Sequence, residues 1–351
     1  MRKIVDHIRT QKNGKIYSAD FRKAGSYSVK TKVGNADEFD TNLVLTIDVE
    51  EVLTERTLTY IYADKKTFDD KRSLPRQMEH DRQLKDIEER RIPHGQAVVK
   101  VKDPSVLPHL TYKSDLIPHK VLQDLYNKVK TAIRHLKLSD VKLSPTAQGP
   151  ALTITIKQKN YKDISVDLVP SLPCSLPVTM NGWPRKDTRR AFGKKINAIE
   201  KAGLHLVPKG DETWAISYSK AERELLDGID DRNECRREVM KIMKQFLETC
   251  KEESSNGLPG LSSHIVKTQI LWSSERKLAP GYWSQKYKDR CLLETIDDMV
   301  LSLESGNLPE YFDENINILA RKEQFELQYF AQCLKKQKSD IKNVGKIKDE
   351  L

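Results

Sequence analysis

Glu38 and Asp40 are two carboxylates that lie two positions apart in the chain. Alternate side chains of a β-strand point to the same face, so this spacing predicts that the two acids project together from a strand. Side-by-side carboxylates suit Mg²⁺, which accepts one or two protein carboxylates and takes its other ligands from water and substrate phosphates. The apolar residues of the same stretch would face the opposite side, towards a core: Phe39, Leu43, Leu45 and Ile47.

A glycine and a serine, Gly25 and Ser26, precede the acid pair. A turn at these residues can bring backbone N–H groups and a hydroxyl close to substrate phosphates. Acid pairs at this spacing are also common on solvent-exposed strand faces, so the pair by itself leaves that alternative open.

A third carboxylate, Asp167, lies in a segment in which apolar and polar residues alternate. The alternation predicts a strand with Asp167 on its polar face. A Gly-Ser pair followed by acid-x-acid, with a third acid on another strand, resembles the signature of the polymerase-beta-like nucleotidyltransferases. This resemblance implies a reaction in which a hydroxyl attacks the α-phosphate of a nucleoside triphosphate and pyrophosphate leaves, with two metal ions about 4 Å apart that stabilise the attacking and leaving oxygens. We predict that Glu38 and Asp40 bind both ions and that Asp167 completes the site of the ion that activates the hydroxyl.

Composition narrows the class of protein. The 351 residues carry a net charge of +10, which favours a polyanionic partner. The chain has no apolar run long enough for a membrane-spanning helix, and its first residues do not form a signal peptide. The five cysteines are widely spaced and form neither a disulfide framework nor a zinc pattern, so we expect reduced thiols and a cytoplasmic location.

Hydrophobic periodicity predicts the elements that position the acids. A helix is expected to begin at Pro118, and the proline-rich stretch 170–184 is expected to be a connection. A basic helix over residues 187–202 would end at Gly203. The predicted strands after the acid pair cover residues 97–101, 151–157, 164–169 and 213–218.

The predicted fold class is α+β with two lobes. Residues 1–185 would form an α/β lobe with a mixed sheet that carries the acids, and residues 186–351 would contribute the basic helix, a strand and a helical bundle. The stretch 55–95 is charged and weakly periodic, which predicts an inserted, partly helical loop. The substrate would bind in a cleft between the lobes.

Several sequence blocks occur together in an order that is specific to one family. The chain resembles the animal nucleotidyltransferases of the cyclic GMP-AMP synthase type, in particular the receptors that are similar to that synthase, within the polymerase-beta-like superfamily. The blocks that carry this resemblance are Gly25-Ser26-Tyr27, residues 35–40, residues 164–167, Trp183-Pro184, residues 206–209, residues 212–219, residues 264–268 and residues 308–312.

The resemblance implies an enzyme that joins two nucleoside triphosphates, such as ATP and GTP, into a cyclic dinucleotide after it senses a nucleic acid in innate immunity. It implies two Mg²⁺ or Mn²⁺ ions at Glu38, Asp40 and Asp167. It also implies that Gly25 and Ser26 contact phosphate. Nucleotide contacts fall on Ser217 and Ser219, both placed on the strand after Trp214, and a phosphate contact falls on Lys267. Without the blocks around them, these two serines and this lysine would be interpreted as ordinary surface residues.

The chain departs from the vertebrate DNA sensor of this family at three places. The region from Leu225 to Glu238 has Cys235 and no histidine, so it cannot form that sensor's zinc site, and no zinc is expected. This favours double-stranded RNA over DNA as the activator, as for several invertebrate receptors. The positions of the sensor's base-contacting arginine and base-stacking tyrosine fall on Ala215 and near Asp298, so the choice of bases is open.

The predicted nucleic-acid surface is the basic helix. Double-stranded RNA is bound mainly through phosphates and 2′-hydroxyls, which calls for a broad basic face. The alternative is an ordinary solvated helix face. Activation would be accompanied by a ligand-induced oligomer. The residues assigned to the surface are Arg189, Arg190, Lys194, Lys195 and Lys201.

Three alternatives compete with a cyclic dinucleotide synthase. One is an enzyme of the oligoadenylate synthase type with a linear product, against which the blocks at residues 214–219 and 264–268 argue. Another is a non-catalytic relative that acts as a binding or developmental scaffold, although all three acids are intact. The last is a generic basic RNA-binding protein, which leaves the spacing of the acids unexplained.

Overall fold

The chain forms two compact units. The computed structural model describes residues 1–20, 38–54, 57–58, 90–147, 149–174, 182–230 and 233–349. The first unit consists of the described parts of Met1–Gly25, Ala36–Thr179 and Gly203–Lys220, and the second of those of Met180–Ala202 and Ala221–Leu351.

A mixed sheet forms the centre of the first unit. Its main path runs β1-β2-β11-β12-β13-β6-β8-β7, with β10 on β11, β9 on β10 and β3 on β6, while β4 and β5 pair separately. The strands are Tyr17–Asp20 (β1), Glu38–Leu45 (β2), Val49–Leu53 (β3), Thr57–Leu58 (β4), Arg90–Arg91 (β5), Gln96–Val101 (β6), Thr111–Tyr112 (β7), Asp115–Leu116 (β8), Val141–Leu143 (β9), Leu152–Ile156 (β10), Ile164–Cys174 (β11), Leu204–Lys209 (β12) and Thr213–Ser217 (β13).

Two helices complete the core of the first unit: Arg2–Thr10 (α1) and Pro118–His135 (α2). Pro118 begins α2 as predicted, at a position where its missing N–H costs no helical hydrogen bond. The apolar stripe of α2 is buried together with the inward-facing residues of β2 and β11. Burial of each large aliphatic side chain contributes about 1.5–3 kcal/mol. The residues that share this core include Leu43, Leu45, Val121, Leu125, Val129, Val166 and Leu168.

The sequence prediction of a connection over residues 170–184 is wrong for residues 170–174. Strand β11 continues through Pro170 and Pro173 to Cys174. Its pairing with β10 ends at Leu168, and its pairing with β12 begins at Leu172. Pro170 therefore lies where the strand exchanges one antiparallel neighbour for another, so its missing N–H removes no bond to either of them.

The second unit is helical. Its helices are Lys186–Ala202 (α3), Ser219–Leu226 (α4, which begins in the first unit), Arg236–Glu253 (α5), Ser263–Arg276 (α6), Lys288–Ser305 (α7) and Gln324–Asp349 (α8). The basic helix α3 ends before Gly203, whose φ of +65° is the left-handed conformation that glycine adopts readily. The residues on every face of α6 are buried, so this helix lies in the middle of the unit.

Arg185, just before α3, anchors that helix to α6. Its guanidinium donates two hydrogen bonds to Glu275, at 2.8 and 2.9 Å, and stacks on the ring of Trp272 at 4.2 Å. Thr188 and Tyr311 also donate hydrogen bonds to Glu275, which is 3% exposed. A buried carboxylate that accepts this many hydrogen bonds is stabilised in its ionised form, and these contacts hold the pKa of Glu275 below its usual value although burial alone would raise it.

The α+β fold class is confirmed, with a mixed sheet and a following set of helices. Most of the predicted insertion at 55–95 lies outside the described residues, apart from β4, the short strand β5 and the residues after it. All five cysteines are free. Within the described ranges, none of the helices has the length and apolar character needed to cross a membrane.

Candidate functional site

Asp40 and Asp167 are direct neighbours across two paired strands. Strands β2 and β11 run parallel, and their register pairs Asp40 with Asp167 and Glu38 with Ser165. Paired residues of adjacent strands emerge on the same face, with the strands about 4.8 Å apart. Phe39 packs against the core and Val166 is buried in it, so the two aspartates lie on the opposite face. Glu38 lies two residues before Asp40 in β2, so its backbone occupies an equivalent alternate position of the strand, in register with Ser165.

Thr153 supports Asp167 from the other side. Strand β10 pairs Thr153 with Asp167, and the threonine hydroxyl donates a 2.6 Å hydrogen bond to Oδ1 of the aspartate. Such a short bond to an ionised oxygen fixes the orientation of the carboxylate. Thr153, Asp167 and Asp40 thus form one row across three strands. The sequence prediction missed Thr153, although a polar residue at alternate positions of a predicted strand was a signal for it.

The donor set of this row fits a hard divalent cation. Asp40 is exposed and Asp167 is half-buried, so their carboxylates are accessible to an ion in water. Carboxylate oxygens are the ligands that Mg²⁺ and Mn²⁺ prefer. The residues that would hold such ions are Asp40, Asp167 and Glu38.

The other predicted nucleotide contacts have mixed outcomes. Gly25 and Ser26 lie outside the described residues. Ser217 is the last residue of β13, but Ser219 is the first residue of α4, so its prediction as a strand residue is wrong. The Ser217 hydroxyl donates to that of Ser219 at 3.1 Å. A helix start suits a serine, because its hydroxyl competes with backbone groups for hydrogen bonds and favours caps over strands.

Lys267 belongs to a charged network in the second unit that the sequence did not predict. Its ammonium donates to Oε2 of Glu222, on α4. The other oxygen of Glu222 lies 3.4 Å from Nδ1 of His264, whose Nε2 lies 2.9 Å from Oε2 of Glu310. We call these four residues (Glu310, His264, Glu222 and Lys267) the His264 relay. His264 and Lys267 are three residues apart on α6, whereas Glu222 comes from α4 and Glu310 from the segment after α7. No local spacing in the sequence relates these two carboxylates to His264 and Lys267.

Two residues of the His264 relay, His264 and Glu222, have shifted pKa values. Burial would lower the pKa of His264, but its hydrogen bonds to Glu222 and Glu310 raise it to about 9. Burial would raise the pKa of Glu222, but the positive charge of Lys267 and the hydrogen bond from His264 lower it to about 2. At neutral pH, His264 is therefore cationic and Glu222 is anionic.

Glu222, His264 and Glu310 lie close enough together to be considered as a metal site. One ligand atom from each lies within 4.8 Å of the others. The hydrogen bonds argue against a shared ion. The two ring nitrogens of His264 face different carboxylates, and the ammonium of Lys267 already neutralises Glu222. The cluster is thus a hydrogen-bonded chain of alternating charges rather than a set of ligands that converge on one point.

The predicted nucleic-acid residues on α3 have different surroundings. Arg189, Lys194 and Lys201 are exposed, and Arg190 is exposed beside Asp187 at 3.2 Å. Lys195 instead points to the end of α4, where its ammonium donates to the backbone carbonyls of Glu224, Leu225 and Asp227. Lysine at a helix C-terminus satisfies carbonyls that have no helical partner and complements the helix dipole. The structure therefore uses Lys195 to hold α4.

A mixed sheet with aspartates on adjacent parallel strands, followed by a helical unit, defines a protein of the nucleotidyltransferase class. Residues 27–228 match the Mab-21 protein nucleotidyltransferase domain, and residues 235–336 match the Mab-21 protein HhH/H2TH-like domain. The chain belongs to the Mab-21 family of nucleotidyltransferases.

Relatives in this family include cyclic GMP-AMP synthases. The chain is 25% identical to Protein mab-21-like 3 of Xenopus laevis over 224 residues, which are 63% of this chain and 59% of the relative. It is 27% identical to the cyclic GMP-AMP synthase of Mus musculus over 256 residues, 66% of this chain and 47% of the relative. It is 25% identical to a cyclic GMP-AMP synthase-like receptor of Magallana gigas over 338 residues, 89% of this chain and 50% of the relative. The matches thus span about half of each relative's length.

Proposed function

We propose that this protein is a nucleic-acid-activated nucleotidyltransferase that joins two nucleoside triphosphates, ATP and GTP among them, into a cyclic dinucleotide second messenger for antiviral defence. The observation that carries the proposal is the parallel pairing of Asp40 with Asp167, with Glu38 two residues away. Similarity to a synthase and to a synthase-like receptor supports the cyclic product.

Each residue has a proposed role. Glu38, Asp40 and Asp167 would hold two Mg²⁺ or Mn²⁺ ions, which when bound would stabilise the attacking and leaving oxygens of the phosphoryl transfer. Thr153 would keep the Asp167 carboxylate in its orientation. Gly25, Ser26 and Lys267 would contact phosphate, and Ser217 and Ser219 would contact the nucleotide.

The proposed activator is double-stranded RNA, bound on the exposed cations of α3: Arg189, Arg190, Lys194 and Lys201. A broad basic face suits the phosphates of an A-form duplex and would give binding that weakens steeply with salt. Four further points stay predictions: the absence of a zinc site, a cytoplasmic location, an oligomer formed on RNA, and two lobes with a boundary near residue 185.

The test is incubation of the purified protein with radiolabelled ATP, GTP, CTP and UTP, Mg²⁺ or Mn²⁺, and double-stranded RNA, double-stranded DNA or neither. We expect a phosphatase-resistant product that depends on RNA. Asp40→Asn should reduce product to background, because it removes a charged metal ligand. Asp163→Asn is the control, since this exposed acid accepts a hydrogen bond from the backbone of Gln158, away from the row.

Other outcomes separate the alternatives. A phosphatase-sensitive product would indicate a linear oligonucleotide. No product with any nucleotide and any nucleic acid, with Asp40→Asn indistinguishable from the wild type, would refute the enzyme and favour a binding scaffold.

A further inference from the structure

The His264 relay contains two carboxylates that are almost completely buried. Glu222 is 5% exposed and Glu310 is 4% exposed. Nε2 of His264 forms a 2.9 Å hydrogen bond with Glu310, and Nδ1 forms an ion pair with Glu222 at 3.4 Å. An ionised carboxylate has no proton to donate, so each ring nitrogen that faces one of them carries a proton. The relay is therefore built around a doubly protonated imidazole that joins two anions.

The remaining oxygens of the two carboxylates also have partners. Oε1 of Glu310 accepts the backbone N–H of Tyr311 at 3.0 Å, which ties the relay to the segment after α7. Oε2 of Glu222 accepts from Lys267. One end of the relay is thus fixed to backbone, and the other end is the ammonium of a long, flexible side chain.

We propose that Glu310 and His264 are positioning residues that hold Glu222 in place, so that Glu222 presents the Lys267 ammonium to the phosphates of a nucleoside triphosphate. The inference rests on the proposed function, which assigns Lys267 to phosphate. A lysine held in one conformation before the substrate arrives binds phosphate without a further loss of side-chain freedom. The relay also explains why two carboxylates are buried beside a cation that is expected to bind anions.

The mildest variant that interrupts the relay is Glu310→Gln. It keeps the size of the side chain and an acceptor for Tyr311, but removes the negative charge that holds His264. We expect KM for the triphosphate to rise roughly three- to tenfold, with kcat within about twofold of the wild type, because a displaced ammonium weakens phosphate binding. His264→Gln, which can donate to only part of the relay, should act in the same direction.

The pH profile gives a readout that a purely structural role would not change. In the wild type, KM should rise as the pH passes about 9, where His264 loses its proton. The charged groups that face His264 are Glu222, Glu310 and Lys267, so loss of the Glu310 charge should move this rise to lower pH. The matched control is Asp230→Asn, which removes another mostly buried carboxylate of the same unit, one that accepts the backbone N–H groups of Arg236 and Arg237. Its KM and pH profile should equal those of the wild type.

A double-mutant cycle tests whether Glu310 acts on KM through Lys267. In a Lys267→Ala background, Glu310→Gln should raise KM no further, because the residue that the relay positions is gone. An equal rise with and without Lys267, or a wild-type KM in Glu310→Gln with active enzyme, would overturn the relay and leave the proposed function standing. A wild-type protein that neither binds nor turns over any triphosphate would overturn both.

Discussion

One oxygen of Asp167 is held by the hydroxyl of Thr153, and Asp167 is less exposed than Asp40. A carboxylate has four lone-pair sites, so the hydrogen bond leaves capacity for a metal ion. The threonine thus orients Asp167 without replacing the ion. At the scale of single residues, the candidate site depends on this support as well as on the acids themselves.

Thr153→Val tests the support. Valine keeps the shape of the side chain and removes the donor. We expect product formation to fall roughly tenfold and the Mg²⁺ concentration for half-maximal activity to rise, because loss of a hydrogen bond to a metal ligand typically costs ten- to a hundredfold. The stability should fall by about 1 kcal/mol.

The control for this prediction is Thr155→Val, two residues along the same strand and opposite Ser165. It removes a hydroxyl from the same face of β10 that is not hydrogen-bonded to Asp167. Equal Mg²⁺ dependence in the two variants would contradict the role given to Thr153.

At the scale of elements, the basic helix α3 has two kinds of lysine. Lys194 is exposed, whereas Lys195 donates to three carbonyls at the end of α4. Helix α4 also carries Glu222, so Lys195 connects the proposed RNA-binding helix to the element that holds the relay. Replacement of Lys195 should therefore affect stability, whereas replacement of Lys194 should affect RNA binding.

Lys194→Met and Lys195→Met form a matched pair. Lys195→Met should lower the free energy of unfolding by about 1–2 kcal/mol, because carbonyls at a helix end lose a charged donor. Lys194→Met should leave stability within about 0.5 kcal/mol of the wild type and weaken RNA binding and its salt dependence. Urea unfolding and RNA titrations at several salt concentrations measure both. The opposite assignment of the two effects would refute the distinction.

The sequence predicted the faces of the strands but not all of their ends. Alternation places Asp40 and Asp167 on polar faces, because a strand has a period of two. It does not determine which strands are neighbours, and the resemblance supplied that expectation. Strand β11 was predicted too short because prolines usually end a strand, whereas Pro170 lies between two pairings.

The His264 relay and the role of Lys195 were not predictable from local patterns. Each depends on residues that are far apart in the sequence and meet through helix packing. A lysine in a basic helix is normally solvated. The sequence around Lys195 therefore does not indicate that its ammonium binds carbonyls of another helix. Glu222 and Glu310 likewise have no spacing that marks them as partners of His264.

At the scale of the whole molecule, stability should depend on pH through the relay. The pKa of His264 is raised to about 9, so its contribution is fully present below about 6.5 and is lost as the pH rises through 9. The pKa of Glu222 is lowered to about 2, so its contribution is present above about 4.5 and is lost as the pH falls through 2. The combined contribution is therefore largest between about pH 4.5 and 6.5.

Thermal unfolding of the wild type and of His264→Gln at pH 6, 8 and 10 checks this expectation. The wild type should be the more stable protein at pH 6, and the difference should narrow by pH 10, because the imidazole is neutral there. A difference that stays constant across this range would show that the charge of His264 does not stabilise the fold.

The parallel pairing of β2 with β11 also has a consequence for how the chain folds. These strands are far apart in the chain, and pairings between distant strands slow folding because a long loop must close before they form. Side chains alternate between faces, and a slip of one residue would put a core residue of β11 beside Asp40. A nascent or misaligned chain would thus lack the row of acids altogether. Such a chain should be inactive in the proposed reaction rather than weakly active.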